Sequence, residues 1–207
     1  EWFETDVETV KKAIAAVKEG RNSIDVATPS AANTIVLRPE QRDAIERTKD
    51  VFKHKKEMLW NAKMRFGKTL ASLQLIKEMQ YKKVLIMTHR PVVSDSWFED
   101  FNKIGMSAAG YSYGSQTKGE TLESLYQADK PFVYFASLQD LRGSKIFGGI
   151  VADKNQLVAE ISWDLVIIDE AHEGTQTELA QKVIDGVKKK NTCLSVSYTH
   201  LTLPTNS

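Results

Sequence analysis

The chain has 207 residues, of which 42% are hydrophobic and 27% are charged, and its formal net charge is +1. This composition predicts a soluble globular protein and excludes a disordered chain. A charge so close to neutral does not identify a nucleic-acid partner, so such a partner has to be argued from local motifs. The single cysteine, Cys193, excludes an intramolecular disulfide, and without a recognisable signal peptide or apolar span a cytoplasmic location is the default expectation.

Residues 1–33 are expected to form an N-terminal helix and a linker, as the end of an upstream domain. The spacing of Thr5 and Glu8 is typical of a capped helix start. The following stretch, residues 22–33, is rich in Ser, Ala, Thr and Asn and has no helical period, which is typical of a linker. Because the sequence begins at Glu1 rather than at methionine, we expect the natural protein to continue upstream.

The main domain is expected to span residues 34–194, where apolar runs alternate with helical patterns. Continuous apolar strands separated by helices predict an α/β fold with a mostly parallel sheet covered by helices on both faces. The predicted strands are 58–61, 84–88, 132–136 and 165–168, with another within 106–114. One predicted helix begins at Pro39 and ends in the basic run 53–56. The other predicted helices span 69–80, 93–103 and 176–188, with another within 118–128.

The stretch from residue 62 to residue 69 predicts a phosphate-binding loop. Its sequence, AKMRFGKT, fits the pattern G-x-x-x-x-G-K-[ST] except at the first position, and it lies between a predicted strand and a predicted helix. In this pattern the glycine lets backbone amides approach phosphate oxygens, the lysine neutralises the phosphates and the threonine binds Mg²⁺. The alternative is a tight strand-to-helix turn with a solvated lysine. The candidate nucleotide-binding residues are Ala62, Lys63, Met64, Arg65, Phe66, Gly67, Lys68 and Thr69.

Two acidic residues, Asp169 and Glu170, directly follow the apolar run 165–168. A carboxylate at the end of a buried strand costs free energy unless a cation or hydrogen bonds compensate it. With a phosphate loop upstream, Mg-nucleotide is the natural cation: Asp169 would hold Mg²⁺ through water, and Glu170 would act as general base for the attacking water. The alternative is an acidic helix N-terminus just after a buried strand.

The sequence DEAH at 169–172, after an apolar strand and with the loop upstream, resembles superfamily 2 helicases and translocases. More narrowly, it resembles the helicase (res) subunits of type I and type III restriction enzymes. The resemblance spans about residues 35–194 and implies the first of two RecA-like lobes of a P-loop NTPase. It implies ATP and Mg²⁺ as ligands, Lys68 and Glu170 as catalytic residues, Thr69 and Asp169 as metal ligands, and His172 as the link to the following motif.

Three further segments resemble motifs of the same family: LRPEQ at 37–41, THRP at 88–91 and ASLQ at 136–139. By this resemblance Gln41 reads the adenine, and His89, Arg90 and Gln139 lie on the side that contacts nucleic acid. Plainer alternatives are a solvated glutamine at 41, a helix-capping arginine at 90 and a turn residue at 139. For His172 the alternative is a histidine satisfied by a local backbone group.

The resemblance implies that ATP closes two lobes on a DNA strand and that hydrolysis reopens them, with RNA left open as the polymer. The second lobe, which would supply an arginine finger, is expected to be missing from this sequence, so the chain alone should bind ATP weakly and hydrolyse it slowly. A nuclease domain is expected upstream, and no membrane partner is expected. Two other functions compete with this one: a small-molecule kinase that uses the same loop, and a non-catalytic nucleotide-binding or interaction module.

After Leu194 the sequence reads SVSYTHLTLPTNS, where the family has a Ser-Gly-Thr-Pro-like motif. This text resembles the translated mosaic end and adaptor of a transposon-based sequencing library. Residues 195–207 are therefore expected to be adaptor readthrough and are left out of the fold prediction. The alternative is a genuine divergent strand and loop.

Overall fold

The computed structural model of the chain describes residues 35–63, 65–88, 94–150, 155–169 and 178–198, with backbone alone at 94, 95, 179, 180 and 198. The predicted N-terminal helix and linker at 1–33 lie outside the described residues. All the elements below belong to the second of the two units into which the chain divides, residues 35–207.

A six-stranded sheet forms the centre of this unit, in the spatial order β1-β6-β5-β2-β4-β3. Every pair of neighbouring strands in it is parallel. Parallel neighbours require crossover connections, which the helices supply. The strands are β1 (Glu57–Asn61), β2 (Lys83–Thr88), β3 (Ser112–Ser115), β4 (Phe132–Ser137), β5 (Leu165–Asp169) and β6 (Cys193–Tyr198).

Both faces of the sheet are buried. Along β2, Leu85 and Met87 pack into one hydrophobic cluster, whereas Val84 and Ile86 pack into the other, as the alternation of side chains along a strand requires. The face of Val84 is covered by α1 (Pro39–His54), α2 (Lys68–Met79) and α3 (Ser94–Lys103). The face of Leu85 is covered by α4 (Leu122–Gln127), α5 (Leu138–Arg142), a 3₁₀ turn (Lys145–Phe147), α6 (Gln156–Glu160) and α7 (Glu178–Val187).

Helix α1 begins with Pro39, which a helix tolerates best in its first turn, and buries one stripe of side chains. An ion-pair cluster fixes α1 against α2. The Glu78 carboxylate accepts bonds from Arg42 at 2.7 Å, Lys49 at 3.0 Å and Gln74 at 2.9 Å. Burial alone would raise the pKa of Glu78, but these bonds and the two positive charges hold it below its ordinary value. The two helices that flank the phosphate loop are thereby joined.

The predicted fold class is confirmed, and each predicted strand and helix in the described residues has a counterpart near its predicted bounds. Three short elements, α5, the 3₁₀ turn and α6, were not predicted, because at five, three and five residues they are too short to show a period. None of the described helices is long and apolar enough to cross a lipid bilayer.

Strand β6 passes the predicted domain boundary at Leu194. It pairs with both β1 and β5 and continues to Tyr198, while residues 199–207 lie outside the described residues. Strand pairing uses backbone groups that every residue except proline carries in full. The pairing therefore does not test the adaptor origin of residues 195–207, which stays a prediction.

Candidate functional site

The carboxyl ends of β1, β6, β5, β2 and β4 lie side by side at one edge of the sheet. Trp60 pairs with Ser197, and Thr88 pairs with both Asp169 and Ser137. Ser197 Oγ donates a hydrogen bond of 2.8 Å to Asp169 Oδ1, which joins the two halves of this row. In open parallel sheets ligands bind in the crevice outside the carboxyl ends of the strands. The predicted motifs therefore meet where this fold binds its ligands.

The phosphate loop, residues 62–69, leaves β1 and turns into α2 through two left-handed residues. The φ angle is 63° at Arg65 and 79° at Gly67. Glycine adopts this conformation freely, whereas for arginine it is strained, and such strain is concentrated at functional sites. Helix α2 begins at Lys68, and no side chain caps its N-terminus. The first amides of a helix, together with its dipole, favour an anion at this position.

Ala62 occupies the position where the loop pattern has its first glycine. The residue is buried and is not among the described residues with positive φ. Because φ is not positive at this position, an alanine adopts the backbone conformation without strain, and the loop does not require glycine here. The departure of this sequence from the usual pattern is therefore compatible with the loop geometry.

Two side chains at the start of α1 hold the loop from outside. Gln41 Nε2 donates to the carbonyl of Phe66 at 2.8 Å and to that of Gly67 at 3.3 Å, while its Oε1 accepts from the Arg38 backbone at 2.8 Å. Arg38 Nη2 donates to the carbonyl of Arg65 at 2.9 Å and also to that of Phe66. Gln41 is 4% exposed, so the solvated glutamine considered above is wrong.

Phe66 attaches the loop to the core. Its ring meets Trp60 edge-on, with 6.4 Å between the ring centroids and an interplanar angle of 78°. Trp60 Nε1 in turn donates to Thr48 Oγ1 on α1 at 2.8 Å. Aromatic pairs of this geometry stabilise packing beyond their buried area. A bulky residue at 66 thus serves to position the loop.

Asp169, the last residue of β5, is buried beside the start of α2. Lys68 Nζ lies 3.4 Å from Asp169 Oδ1, and the exposed fractions of the two side chains are 13% and 8%. A buried carboxylate requires such compensation, here from an ammonium group and the Ser197 hydroxyl. The structure thus brings together the lysine of the predicted loop and the aspartate of the predicted acid pair.

The other predicted site residues divide into two groups. Thr69 follows Lys68 in the first turn of α2 and is half-buried, Lys63 is exposed in the loop, and Gln139 is exposed just after β4 at the same sheet edge. The positions of these three residues are described, whereas the roles of all the predicted site residues stay predictions. Met64, His89, Arg90, Glu170 and His172 lie outside the described residues.

The described oxygen donors fit a magnesium ion bound together with a nucleotide. The Asp169 carboxylate and the Thr69 hydroxyl are hard oxygen ligands, and Mg²⁺ is usually held by one or two carboxylates together with substrate phosphates. A cage made only of protein groups is not needed for such an ion. Within the described ranges, no group of three or more His, Cys, Asp or Glu side chains is placed to hold a metal.

A cavity of about 550 Å³ lies beside the loop, between α1 and β1. Its volume is in the range of small-molecule sites, and its walls carry both charged and aromatic groups. It adjoins the carbonyl groups that Arg38 and Gln41 hold. The residues that line it include Arg38, Asp43, Arg47, Trp60, Ala62, Arg65 and Phe66.

Sequence reasoning missed two members of this site. Arg38 belonged to a recognised segment, but nothing in the sequence indicated that its side chain reaches the loop. Ser197 lies in the text attributed to an adaptor, and only the pairing of β6 with β5 places it against Asp169. The position of Arg38 at a helix start, one turn before Gln41, was the single available signal.

Solved structures of other proteins share this fold. The SWI2/SNF2 ATPase core of Sulfolobus solfataricus, in complex with double-stranded DNA, has a TM-score of 0.60 and 16% identity, over 81% of this chain and 33% of that chain. The UvsW helicase of bacteriophage T4 has a TM-score of 0.52 and 17% identity, over 79% and 52%. A nuclease-deletion mutant of the type ISP restriction-modification enzyme LlaGI, in complex with a DNA substrate mimic, has a TM-score of 0.53 and 14% identity, over 80% and 17%.

A curated relative is described as the C-terminus of a putative type II restriction enzyme and methyltransferase of Mycoplasma pneumoniae. It is 31% identical over 160 residues, which are 74% of this chain and 22% of the relative. The chain thus spans less than a quarter of the length of that relative. Residues 34–199 match the family described as "Type III restriction enzyme, res subunit". The resemblance stated from the motifs is confirmed: the chain belongs to the type III restriction enzyme res subunit family.

Proposed function

We propose that the chain is the ATP-binding lobe of an ATP-dependent DNA helicase or translocase from a restriction-modification system. The observation that carries this proposal is the pair of Lys68 and Asp169, 3.4 Å apart beside an uncapped helix start. This arrangement suits phosphate and a divalent cation together. A non-catalytic module would tolerate the loss of Glu170, yet the sequence has both Lys68 and Glu170.

Each described residue has a distinct role in this proposal. Lys68 and the first amides of α2 bind phosphate oxygens, while Thr69 and Asp169 would hold Mg²⁺. When bound, Mg²⁺ supplies charge that stabilises the phosphates during transfer. Glu170 is proposed as the base that accepts a proton from the attacking water, and His172 as the link to the following motif; both roles rest on the sequence.

The base of the nucleotide is proposed to lie on the α1 side of the loop. Gln41, proposed as the adenine reader, binds the carbonyl of Phe66, and both Phe66 and Arg38 line the cavity of about 550 Å³. Since Gln41 and Arg38 hold the loop carbonyls, occupancy of this cavity and the geometry of the phosphate loop are expected to depend on each other. A substitution in α1 would then alter phosphate binding as well as base selection.

DNA is proposed to cross the same sheet edge on the side of β2 and β4. Gln139 follows β4 there, and His89 and Arg90 follow β2 in the sequence. The proposal is supported by the family match and by DNA-bound structures with the same fold. A second lobe with an arginine finger, a nuclease domain or subunit, and a cytoplasmic location complete the proposal for the whole protein.

The test is ATP hydrolysis by the full-length protein with and without DNA. We expect DNA to stimulate hydrolysis, and Glu170→Gln to reduce the stimulated rate by on the order of 100-fold, because it removes the proton acceptor. The control is Glu99→Gln, an exposed carboxylate on α3 that pairs with Lys103. Phosphate transfer to a metabolite, or unchanged hydrolysis in Glu170→Gln, would contradict the proposal, and the former would favour the kinase.

A further inference from the structure

A second cavity, of about 380 Å³, lies on the opposite face of the sheet from the phosphate loop. It opens between α4 and α6, over β4. Glu123 on α4 and Glu160 on α6 line it from the two helices, and Tyr134 lines it from the sheet. The nucleotide site uses none of these residues.

Tyr134 is buried, with 6% of its surface exposed, yet its hydroxyl has no hydrogen-bond partner among the described residues. Burial, together with the negative charges of Glu123 and Asp140, raises its pKa to about 12. The hydroxyl therefore stays protonated at neutral pH. The hydroxyl is not among the described buried polar atoms that lack a partner, so it reaches the cavity, where it is free to form a hydrogen bond with a ligand.

The two carboxylates of the cavity are also without cationic partners. Neither Glu123 nor Glu160 forms an ion pair within the part of the chain that the structure describes. Glu160 Oε1 instead accepts a bond of 2.6 Å from Gln156 Nε2, which orients that carboxylate. Both glutamates are exposed, and unlike the half-buried Glu78 between α1 and α2, neither pairs with a basic side chain among the described residues.

One wall of the cavity is fixed in advance by Asn155. This residue has a φ of 61°, and its amide donates to the Asp140 carbonyl at 3.2 Å and to Ser144 Oγ at 2.8 Å. These bonds hold the start of α6 against the end of α5. A site built on such fixed elements loses little conformational entropy when it binds.

We propose that this cavity binds a guanidinium group, presented either by a small cationic molecule or by an arginine side chain of a protein partner. A guanidinium has five N–H donors in one plane, enough for two carboxylates and one hydroxyl. A lone metal ion would leave most of the volume empty. The proposal does not depend on the function of the phosphate loop.

The test is calorimetric titration of the whole chain at physiological salt with agmatine, and separately with a short arginine-containing peptide. A dissociation constant on the order of 1 mM or tighter is expected for at least one probe. Binding by agmatine would identify a free cation as sufficient, and binding by the peptide alone would identify a protein source. Failure of both probes to bind would overturn the proposal.

Variants distinguish this site from general attraction to acidic surface. The double substitution of Glu123→Gln and Glu160→Gln should weaken binding at least about tenfold, and Tyr134→Phe about threefold. One control is Tyr126→Phe, at an exposed tyrosine on α4, the helix that also carries Glu123. The other control is Glu99→Gln. Equal binding by the cavity variants and the controls would overturn the proposal, provided that thermal unfolding shows all of them folded.

Discussion

Strand β5 has an aspartate at each end, and the two carboxylates are stabilised in different ways. Asp164, just before the strand, accepts from the backbone amides of Lys82 at 2.8 Å and Lys83 at 3.0 Å. Asp169 is instead held by the side chains of Lys68 and Ser197. Backbone donors stay in place as long as the fold does, whereas side chains can turn toward a ligand. Under the proposed function, Asp164 has a structural role and Asp169 has a chemical one.

The residues around the two carboxylates also differ: those near Asp164 bond to one another, whereas those near Asp169 border a cavity. At the amino end, Asp164 also accepts the Cys193 amide through its carbonyl, and the Tyr81 hydroxyl donates to Cys193 Sγ at 3.4 Å. Burial raises the pKa of Tyr81 far above its ordinary value, and Cys193 and Asp164 add to this. At the carboxyl end lie the phosphate loop and its cavity. The polar groups at the amino end of β5 thus bond to one another, whereas a cavity that a ligand can enter lies at the carboxyl ends of the strands.

The largest effect on ATP binding is expected for Lys68→Ala, at the carboxyl end of β5. The substitution removes the cation nearest the proposed phosphates, so ATP affinity should fall by on the order of 10- to 100-fold. Binding of a fluorescent ATP analogue to the chain would measure this, with Lys53→Ala, an exposed lysine of α1, as the control. Equal loss in both variants would show that general charge, not this lysine, determines affinity.

The reverse pattern is expected for Asp164→Ala at the amino end. Two backbone amides lose their acceptor, so the free energy of unfolding should fall by about 1–3 kcal/mol. ATP affinity per folded molecule should not change, because the proposed site lies at the other end of β5. Urea denaturation combined with nucleotide titration would measure both quantities, and loss of binding at unchanged stability would erase the distinction between the two aspartates.

A smaller effect is expected for Gly67→Ala in the loop. The left-handed φ costs an alanine about 1–2 kcal/mol, and the new Cβ would overlap the Gln41 amide that holds the loop. Gly105→Ala is a matched control, since Gly105 has a φ of 71° but nothing within 4 Å of the added Cβ. Both variants should lose stability, and only Gly67→Ala should weaken ATP binding. Similar binding in the two variants would show that the Gln41 contact is unimportant.

The smallest effect is expected for Ser197→Ala, which removes one of the two described donors to Asp169. Because Lys68 remains, binding of the fluorescent ATP analogue to this 207-residue chain should weaken only severalfold, equivalent to about 1 kcal/mol. Ser195→Ala on the same strand is the control. A loss as large as that for Lys68→Ala would mean that the hydroxyl, and not the lysine, is the main partner of Asp169.

The parts of this structure that could be predicted from sequence are those that local patterns determine. The apolar runs and the motif around Lys68 each predict their own element, because periodicity and loop chemistry are short-range. Strand order is long-range, so the pairing that places Ser197 beside Asp169 could not be read from the sequence. The same holds for Arg38, whose partners in the loop lie 27 and 28 residues away. The inferred sheet was therefore right in class, while the contacts that Ser197 and Arg38 make in the site came from the structure.

The most direct test of the account compares two isosteric variants of the full-length protein, Asp169→Asn and Asp164→Asn. DNA-stimulated ATP hydrolysis would be measured for both, normalised to the folded fraction. The account predicts that Asp169→Asn loses activity by on the order of 100-fold, whereas Asp164→Asn stays within about twofold of the unmodified protein. Equal losses, or a larger loss for Asp164→Asn, would contradict the assignment of the chemical role to the carboxyl end of β5.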